Sequence, residues 1–262
     1  MSDPSMPLPC DLDGLGILVT RAEHQAEGLC RQIREHGGRA LRFPAVEIGG
    51  PADPRQTAKI LDRIEDYQVA LFISPNAVVG ALELLGTDGL PEGLKIGAVG
   101  RSTANTLARA GYAVDIVPDD GFDSEALLAT EELQEISGKQ IVIFRGKGGR
   151  ALLGEGLEAR GARVDYAEVY QRLCPDKDPT LLLNRWADVD LVTATSNQVL
   201  DNLCTLLGDA GRKRLLEAPL LVISERMREH ARALGFSQVI LARGADDRSM
   251  LKAICNWQGH RV

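Results

Sequence analysis

The sequence has few aromatic residues, no long hydrophobic run and no excess of positive charge. None of its apolar stretches approaches the roughly 18 residues that a membrane-spanning helix requires. Its net charge is −7, whereas nucleic acids and anionic membranes bind best to a cationic surface. We therefore expect no nucleic acid and no membrane as a partner. An acidic small molecule is not excluded, because a few Arg side chains or main-chain N–H groups can reverse the field locally.

Metal-binding and disulfide patterns are also missing. The cysteines are Cys10, Cys30, Cys174, Cys204 and Cys255, and the histidines are His24, His36, His230 and His260. The cysteines are scattered and odd in number and form no CxxC, and no two histidines share a helix face at ligand spacing. Residues 1–13 are Pro-rich, without the basic flank and apolar run of a signal peptide. We expect a cytoplasmic protein with reduced cysteines, no metal and no cofactor.

Familiar catalytic motifs are absent as well. The sequence contains no GxSxG, no HExxH, no P-loop GxxxxGK[ST] and no dinucleotide-binding GxGxxG. An enzyme with this sequence would depend on a reactive substrate, one or two proton-handling groups and a shaped cleft.

What the sequence does contain is an internal repeat. Residues 16–21 and 37–48 match residues 140–145 and 160–171, and two further blocks recur in the same order. The offset is 123 residues between Gly38 and Gly161, 121 residues between the Asn residues at positions 76 and 197, and 124 residues between the Gly residues at positions 111 and 235. Three matches in register indicate a duplicated module.

Each repeated block reads as strand, loop and helix. The predicted strands are residues 17–19, 69–73, 96–99, 141–144, 191–192 and 220–223, which are short and rich in β-branched residues. The predicted helices are residues 23–35, 77–85, 102–110, 150–159, 197–207 and 225–234. Several are followed by a glycine suited to a helix C-terminus: Gly37, Gly111, Gly161 and Gly235. This alternation predicts an α/β protein with open parallel sheets and helices on both faces.

Two segments depart from the alternation. Residues 40–48 and 164–172 read as extended and are followed by polar, Pro-containing stretches. They could form a two-stranded bridge between two interleaved domains, with the working site in the cleft between the domains. Alternatively, both are ordinary sheet strands in two sequential domains that divide near residue 130.

The predicted ligand site follows from the parallel sheets, because ligands bind where strand ends run into helix N-termini. Ser, Thr, Asn and Gly at these turns offer hydroxyl and main-chain N–H donors to carboxylate or phosphate oxygens. The candidate binding residues are Thr20, Arg21, Ser74, Pro75, Asn76, Gly100, Ser102, Thr103, Arg145, Gly146, Thr195, Ser196, Asn197, Ser224 and Arg226. The alternative is that the Ser, Thr and Asn residues serve only as helix N-caps.

Two further features concern the second repeat. The loop at residues 145–150 holds three cations and three glycines, and it is either an anion cradle or a simple strand–helix turn. Tyr170 lies on the second predicted bridge strand, where its hydroxyl could donate a hydrogen bond or a proton to a leaving oxygen. The alternative for Tyr170 is a half-buried strand tyrosine with its hydroxyl in water.

Taken together, these motifs make the chain similar to the uroporphyrinogen-III synthases, cofactor-free enzymes of tetrapyrrole biosynthesis. The likeness covers residues 14–255 and rests on VTRA at 19–22, FISPNAV at 72–78, AVGRSTA at 98–104, RG at 145–146 with GR at 149–150, RGARV at 160–164 leading to VYQR at 169–172, TSN at 195–197 and ISER at 223–226. Each motif alone is weak evidence, whereas the order and spacing of all of them together are specific to the family.

The resemblance implies two similar flavodoxin-like domains joined by a two-stranded β-ladder. The first domain would comprise residues 14–38 and 178–262, the ladder residues 39–51 and 161–177, and the second domain residues 52–160. This implication favours interleaved domains over the sequential division.

The resemblance also implies a lyase that closes the linear tetrapyrrole hydroxymethylbilane to uroporphyrinogen III, with inversion of ring D and loss of water. Tyr170 would assist departure of the substrate hydroxyl, and Ser74, Thr103 and Ser196 would contact the ligand. Some relatives have a Thr where this sequence has Arg226 or the next residue, so contacts there are less well supported. The family expectation is a monomer, with transient contact to hydroxymethylbilane synthase. The competing hypothesis is a non-catalytic two-domain binding or sensor protein for an acidic small molecule.

Overall fold

The structure is a computed structural model that describes residues 10–121, 123–149 and 151–259. The strands are β1 (Gly16–Val19), β2 (Arg39–Arg42), β3 (Glu47–Gly49), β4 (Val69–Phe72), β5 (Lys95–Ala98), β6 (Gln140–Gly146), β7 (Arg163–Leu173), β8 (Leu191–Thr193), β9 (Leu220–Val222) and β10 (Val239–Leu241). The helices are α1 (Glu23–Glu35), α2 (Pro54–Leu61), α3 (Pro75–Leu85), α4 (Arg101–Arg109), α5 (Ser124–Ala129), α6 (Leu152–Glu158), α7 (Thr180–Asn184), α8 (Asn197–Glu217), α9 (Glu225–Leu234) and α10 (Asp247–Gly259).

The chain divides into two units. The first contains the described residues up to Glu47 and those from Leu173 onward, and the second is the continuous segment Ile48–Arg172. Residues 39–42 and 163–170, which fall within the segments predicted as a ladder, pair here with β1 and β6 respectively. The ladder between domains stays a prediction.

The first unit contains a five-stranded sheet in the order β10-β9-β8-β1-β2. All of its pairings are parallel. Strands β1, β8 and β9 are buried throughout, as expected for parallel strands covered by helices on both faces. Helix α1 packs through Ala26, Leu29, Cys30 and Ile33, whose spacing of three and four residues places them on one helix face.

The second unit contains a five-stranded sheet in the order β3-β7-β6-β4-β5. The pairings of β6 with β7, of β4 with β6 and of β4 with β5 are parallel. Phe72 and Phe144 stack on the central strands with ring centroids 4.6 Å apart. Buried residues form one cluster that includes this pair and a second cluster that includes Leu71 and Ile143. Because successive strand residues point to opposite faces, the two clusters cover the two faces of the sheet.

The predicted α/β fold with open parallel sheets is confirmed. The four glycines predicted to end helices all have positive φ, between 76° and 104°, a region that glycine enters without strain. Helix α8 extends past the predicted end at residue 207 to Glu217, through Gly208, whose φ of 56° and ψ of −168° are non-helical. Among the described helices, none is long and apolar enough to cross a membrane.

One expectation about the cysteines is wrong. Cys10 and Cys255 form a disulfide across 245 residues of sequence. The segments that carry the two cysteines meet because Leu12, two residues after Cys10, is fully buried in the core that also contains residues of α10. The main-chain N–H of Leu12 also donates to the carbonyl oxygen of His36, at the end of α1. Cys30, Cys174 and Cys204 are free thiols.

Candidate functional site

Tyr170 lies at an irregularity in strand β7. Arg145 of β6 pairs with Glu168, but the next residue, Gly146, pairs with Tyr170. Val169 is therefore an extra residue on β7, as in a β-bulge, and the usual alternation of side chains is interrupted there. Val169 and Tyr170 are consequently both buried. The bulge fixes the direction of the Tyr170 side chain.

The Tyr170 hydroxyl lies at the N-terminus of helix α3. Its oxygen is 3.2 Å from the Oγ of Ser74, and either hydroxyl could be the donor. Ser74 is the N-cap of α3, because its Oγ accepts a hydrogen bond from the N–H of Ala77, and Pro75 is the first helical residue. Free N–H groups and the helix dipole make this position favourable for negative charge.

Two glycines make room for this arrangement. A Cβ on Gly146 would lie 2.5 Å from the ring of Tyr170, and a Cβ on Gly80 would lie 2.9 Å from the carbonyl oxygen of Val169. Neither glycine has a positive φ, so both are needed for close approach and not for a left-handed backbone. Gly146 thus acts in this site by accommodating the tyrosine ring.

Arg145 is held by its neighbours. Its Nη2 donates to Glu168 Oε1 at 3.0 Å, its Nη1 donates to the carbonyl oxygen of Gly149 at 3.2 Å, and its guanidinium lies 3.8 Å above the ring of Tyr166. Burial raises the pKa of the Tyr166 hydroxyl, and the positive charge of Arg145 partly opposes that shift. The side chain therefore closes the turn after β6, which supports the strand–helix reading of the glycine-rich loop. Arg150 lies outside the described residues.

The other predicted residues of the second unit differ in exposure. Gly100 precedes α4 without a side-chain cap, Ser102 is exposed and Thr103 is buried. Asn76, in the first turn of α3, is half-buried. The start of α4 thus lacks a side-chain cap and the Thr103 side chain is buried, and ligand binding at this turn stays a prediction.

Thr20 and Arg21 direct their side chains into the first unit. Thr20 is fully buried, and its hydroxyl donates to the carbonyl oxygen of Thr193. The Arg21 side chain, only 9% exposed, forms a 2.5 Å ion pair with Asp247 and also donates to the carbonyl oxygen of Ala245. Both side chains thus tie β1 to neighbouring elements.

The remaining turns of the first unit are built around N-caps. Ser196 caps α8 through the N–H of Val199, and Ser224 caps α9 through the N–H of Met227. Thr195 is half-buried and Arg226 is exposed. Asn197 has its Oδ1 shielded from solvent and without a hydrogen-bond partner among the described residues. Both serines therefore act as helix N-caps, and ligand binding at the turns stays a prediction.

Comparison with known proteins gives the chain its family. The sequence profile described as uroporphyrinogen-III synthase HemD matches residues 27–252. The uroporphyrinogen-III synthase of Escherichia coli K12 is 35% identical over 248 residues, which cover 92% of this chain and 100% of that protein. The chain belongs to the uroporphyrinogen-III synthase family.

Further comparisons agree with membership in the uroporphyrinogen-III synthase family. The enzyme of Salmonella typhimurium LT2 is 36% identical over 245 residues, covering 92% of this chain and all of that protein. The solved structure from Helicobacter pylori 26695 has a TM-score of 0.64 at 15% identity, covering 93% of this chain and 99% of that chain. A structure from the extreme thermophile Thermus thermophilus has a TM-score of 0.56 at 17% identity, covering 95% of this chain and 100% of that chain. The two structures show a shared fold.

Sequence reasoning missed several residues that shape the site in this member of the uroporphyrinogen-III synthase family. Glu168 and Val169 lie within the repeated block at residues 160–171, but a bulge leaves no local signature that distinguishes them from ordinary strand residues. Asp247 is 226 residues from Arg21, so no local pattern could have paired them. Gly80 could be suspected only as a glycine inside a helical pattern, which usually has a packing reason.

Proposed function

We propose that this member of the uroporphyrinogen-III synthase family closes hydroxymethylbilane to uroporphyrinogen III and that the Tyr170 hydroxyl assists departure of the substrate hydroxyl. The observation that supports the role of Tyr170 is its hydrogen-bond contact with Ser74 at the N-terminus of α3. Family membership supports a lyase, and it gives no support to the alternative of a non-catalytic sensor.

The proposed ring closure requires few catalytic groups. The hydroxymethyl carbon loses its oxygen as water when Tyr170 transfers a proton to the leaving hydroxyl, or as hydroxide, which later takes up the proton released by the substrate, when Tyr170 donates only a hydrogen bond. The positive charge left on the substrate spreads over the pyrrole ring. If the proton is transferred, the helix dipole of α3 and the Ser74 hydroxyl stabilise the phenolate that remains. The phenolate regains a proton when the substrate releases one during ring closure.

The burial of Tyr170 supports this role. The residue is 5% exposed and belongs to the apolar cluster around Phe72 and Phe144. An apolar surrounding strengthens a hydrogen bond to a developing charge and limits competition from water. The phenol ring is also fixed by the bulge and by Gly146, so the hydroxyl needs little reorganisation during the reaction.

We further propose that main-chain N–H groups at the helix starts bind the substrate carboxylates. Three serines already use their hydroxyl oxygens as caps, and the remaining N–H groups of a first helical turn are unsatisfied. In the second unit the binding residues would be Ser74, Asn76, Gly100, Ser102, Thr103 and Gly146, with Pro75, which has no N–H, shaping the turn. In the first unit they would be Thr195, Ser196, Asn197, Ser224 and Arg226. Thr20, Arg21 and Arg145 would contribute mainly by fixing the turns. We also propose that the protein is a monomer in the cytoplasm and that it contacts hydroxymethylbilane synthase transiently.

The test is an assay with hydroxymethylbilane generated in place by its synthase. Without an active enzyme the bilane closes spontaneously to the uninverted type I isomer. We expect purified protein to convert the bilane mainly to the type III isomer and the Tyr170→Phe variant to do so more slowly while remaining folded. Mainly type I product with the wild-type protein would overturn the enzymatic proposal, and wild-type rates for Tyr170→Phe would overturn the role of the tyrosine.

A further inference from the structure

A groove of about 530 Å³ lies between the edge strand β10 and helix α10 of the first unit. Apolar residues from both elements line it, Ile240 and Leu241 on the strand and Ala253 and Trp257 on the helix. None of the groove residues is among the predicted substrate-binding residues. The proposed synthase reaction therefore assigns no role to the groove.

The spacing of residues along α10 explains why this helix presents polar side chains to the groove. Arg248, Lys252 and Asn256 follow one another at intervals of four residues, so they form one stripe along the helix. The opposite side of the helix is anchored in the core by Met250 and Ile254, which are fully buried. The helix thus presents a polar stripe with two cations to the groove while its apolar side holds it in place.

The charge of the groove is opposite to that of the protein. Arg243, Arg248 and Lys252 line it, and none of the described residues that line it is acidic. Within the described part of the chain, neither Arg243 nor Lys252 takes part in an ion pair, whereas the chain as a whole carries a net charge of −7. Cations gathered along a low-dielectric wall focus a positive potential that attracts anions.

We propose that this groove binds a small organic anion with an apolar ring. The ring would pack on Leu241, Ala253 and Trp257, and its carboxylate, sulfonate or phosphate groups would lie at Arg243 and Lys252. The volume falls in the range of small-molecule sites, roughly 300–1,000 Å³. Trp257 lines the groove but is only 7% exposed, so it does not project as a membrane anchor would.

The probe for the experiment is 8-anilinonaphthalene-1-sulfonate, which carries aromatic rings and one sulfonate. Its uncharged counterpart, N-phenyl-1-naphthylamine, has the same rings without the charge. Fluorescence titration of the full-length protein is expected to show one saturable site per chain, with the uncharged probe bound at least tenfold more weakly. Equal affinity for both probes would show that the cations do not recognise the ligand and would overturn the proposal.

The second experiment reverses the charge of two cations in the groove. We expect Arg243→Glu/Lys252→Glu to weaken binding of the sulfonate probe by tenfold or more. The matched control is Lys59→Glu/Arg109→Glu, which changes the net charge equally at two exposed cations on α2 and α4 and is expected to change affinity by less than threefold. Equal losses in the two double variants would show only a general charge effect and would overturn the site.

Two further measurements complete the test. If circular dichroism shows that the charge-reversal variant is unfolded, Arg243→Gln/Lys252→Gln replaces it and is also expected to weaken binding of the sulfonate probe.

Sedimentation with phosphatidylglycerol vesicles and titration with a poly-glutamate peptide are expected to show no binding that depends on the groove. Loss of vesicle or peptide binding in the groove variants, without a saturable site for the probe, would assign the surface to a membrane or an acidic protein and overturn the proposal. Synthase activity is measured separately, because no residue of the groove belongs to the proposed active site.

Discussion

The hydroxyl oxygens of Tyr170 and Ser74 lie 3.2 Å apart, although 96 residues separate them in the sequence. The contact joins a strand that carries a bulge to a helix that begins with a serine cap. Each side depends on a small residue nearby, because Gly146 accommodates the ring and Gly80 lets α3 approach Val169. The position of the phenol therefore follows from several independent features of the second unit.

Replacement of Ser74 tests whether this contact matters for the reaction. We expect Ser74→Ala to lower stability by about 1 kcal/mol through loss of the N-cap and to lower kcat because Tyr170 loses its partner. Asp53→Ala is the control, since Asp53 caps α2 in the same unit but does not contact the tyrosine. It is expected to lower stability by a similar amount with unchanged kcat. A fall in kcat in both variants would attribute the effect to stability alone.

Replacement of Tyr170 measures the hydrogen bond to the leaving oxygen. A hydrogen bond to a charged group contributes about 1.5–3 kcal/mol, and each 1.4 kcal/mol of barrier corresponds to about tenfold in rate. We therefore expect Tyr170→Phe to lower kcat at least about tenfold. Because the phenyl ring is kept, the apolar cluster should be preserved and the melting temperature should change little. A fall only in the apparent substrate affinity would contradict an action on the chemical step.

Gly146 is predicted to be intolerant of any side chain. Gly146→Ala places a Cβ 2.5 Å from the Tyr170 ring, so we expect a loss of about 1–3 kcal/mol of stability from overpacking. Gly50→Ala is the control, because a Cβ there has no neighbour within 4 Å. Chemical denaturation measures both.

A second variant separates the clash from other effects of Gly146→Ala. In the double variant with Tyr170→Leu, the smaller side chain should relieve the clash, so the losses of unfolding free energy in the two single variants should not add. Additive losses would show that the glycine is required for a different reason.

The sequence predicts the local features of this fold well, because their causes are local. Buried β-branched runs such as the one in β1 mark parallel strands, and a glycine such as Gly235 marks a helix end wherever a left-handed residue is needed. The turns that carry Ser74 and Ser196 were found for the same reason. Short helices such as α7, with five residues, give too little periodicity to be singled out.

The features that the sequence does not predict depend on contacts between distant residues. The bulge at Val169 is decided by packing between β6 and β7, and the burial of the Arg21 guanidinium is decided by α10. The pairing of Cys10 with Cys255 requires the segment around Leu12 and helix α10 to pack on one core. In each case the residue type was visible in the sequence and its partner was not.

The ion pair between Arg21 and Asp247 is predicted to stabilise the first unit. Asp247→Ala would leave the largely buried guanidinium without its carboxylate. Because Asp247 is itself partly exposed, we expect a loss of about 1–3 kcal/mol, less than for a fully buried pair. The control is Glu35→Ala, which removes the exposed partner of Arg31 and should change stability by less than about 0.5 kcal/mol. Equal effects of the two substitutions in urea denaturation would contradict a special role for the buried pair.

The disulfide between Cys10 and Cys255 is predicted to make the stability of the protein sensitive to reductant. Closing so long a segment should stabilise the native protein by about 2–4 kcal/mol, so dithiothreitol should lower the melting temperature of the wild-type protein. Cys255→Ser should already melt at the lower temperature and should not respond to dithiothreitol. Cys204→Ser removes a free thiol and should keep the full response. Digestion without reductant, followed by mass spectrometry, should yield a linked peptide containing Cys10 and Cys255. Absence of that peptide from oxidised protein, or an unchanged response to dithiothreitol in Cys255→Ser, would show that the two cysteines are not bonded in solution.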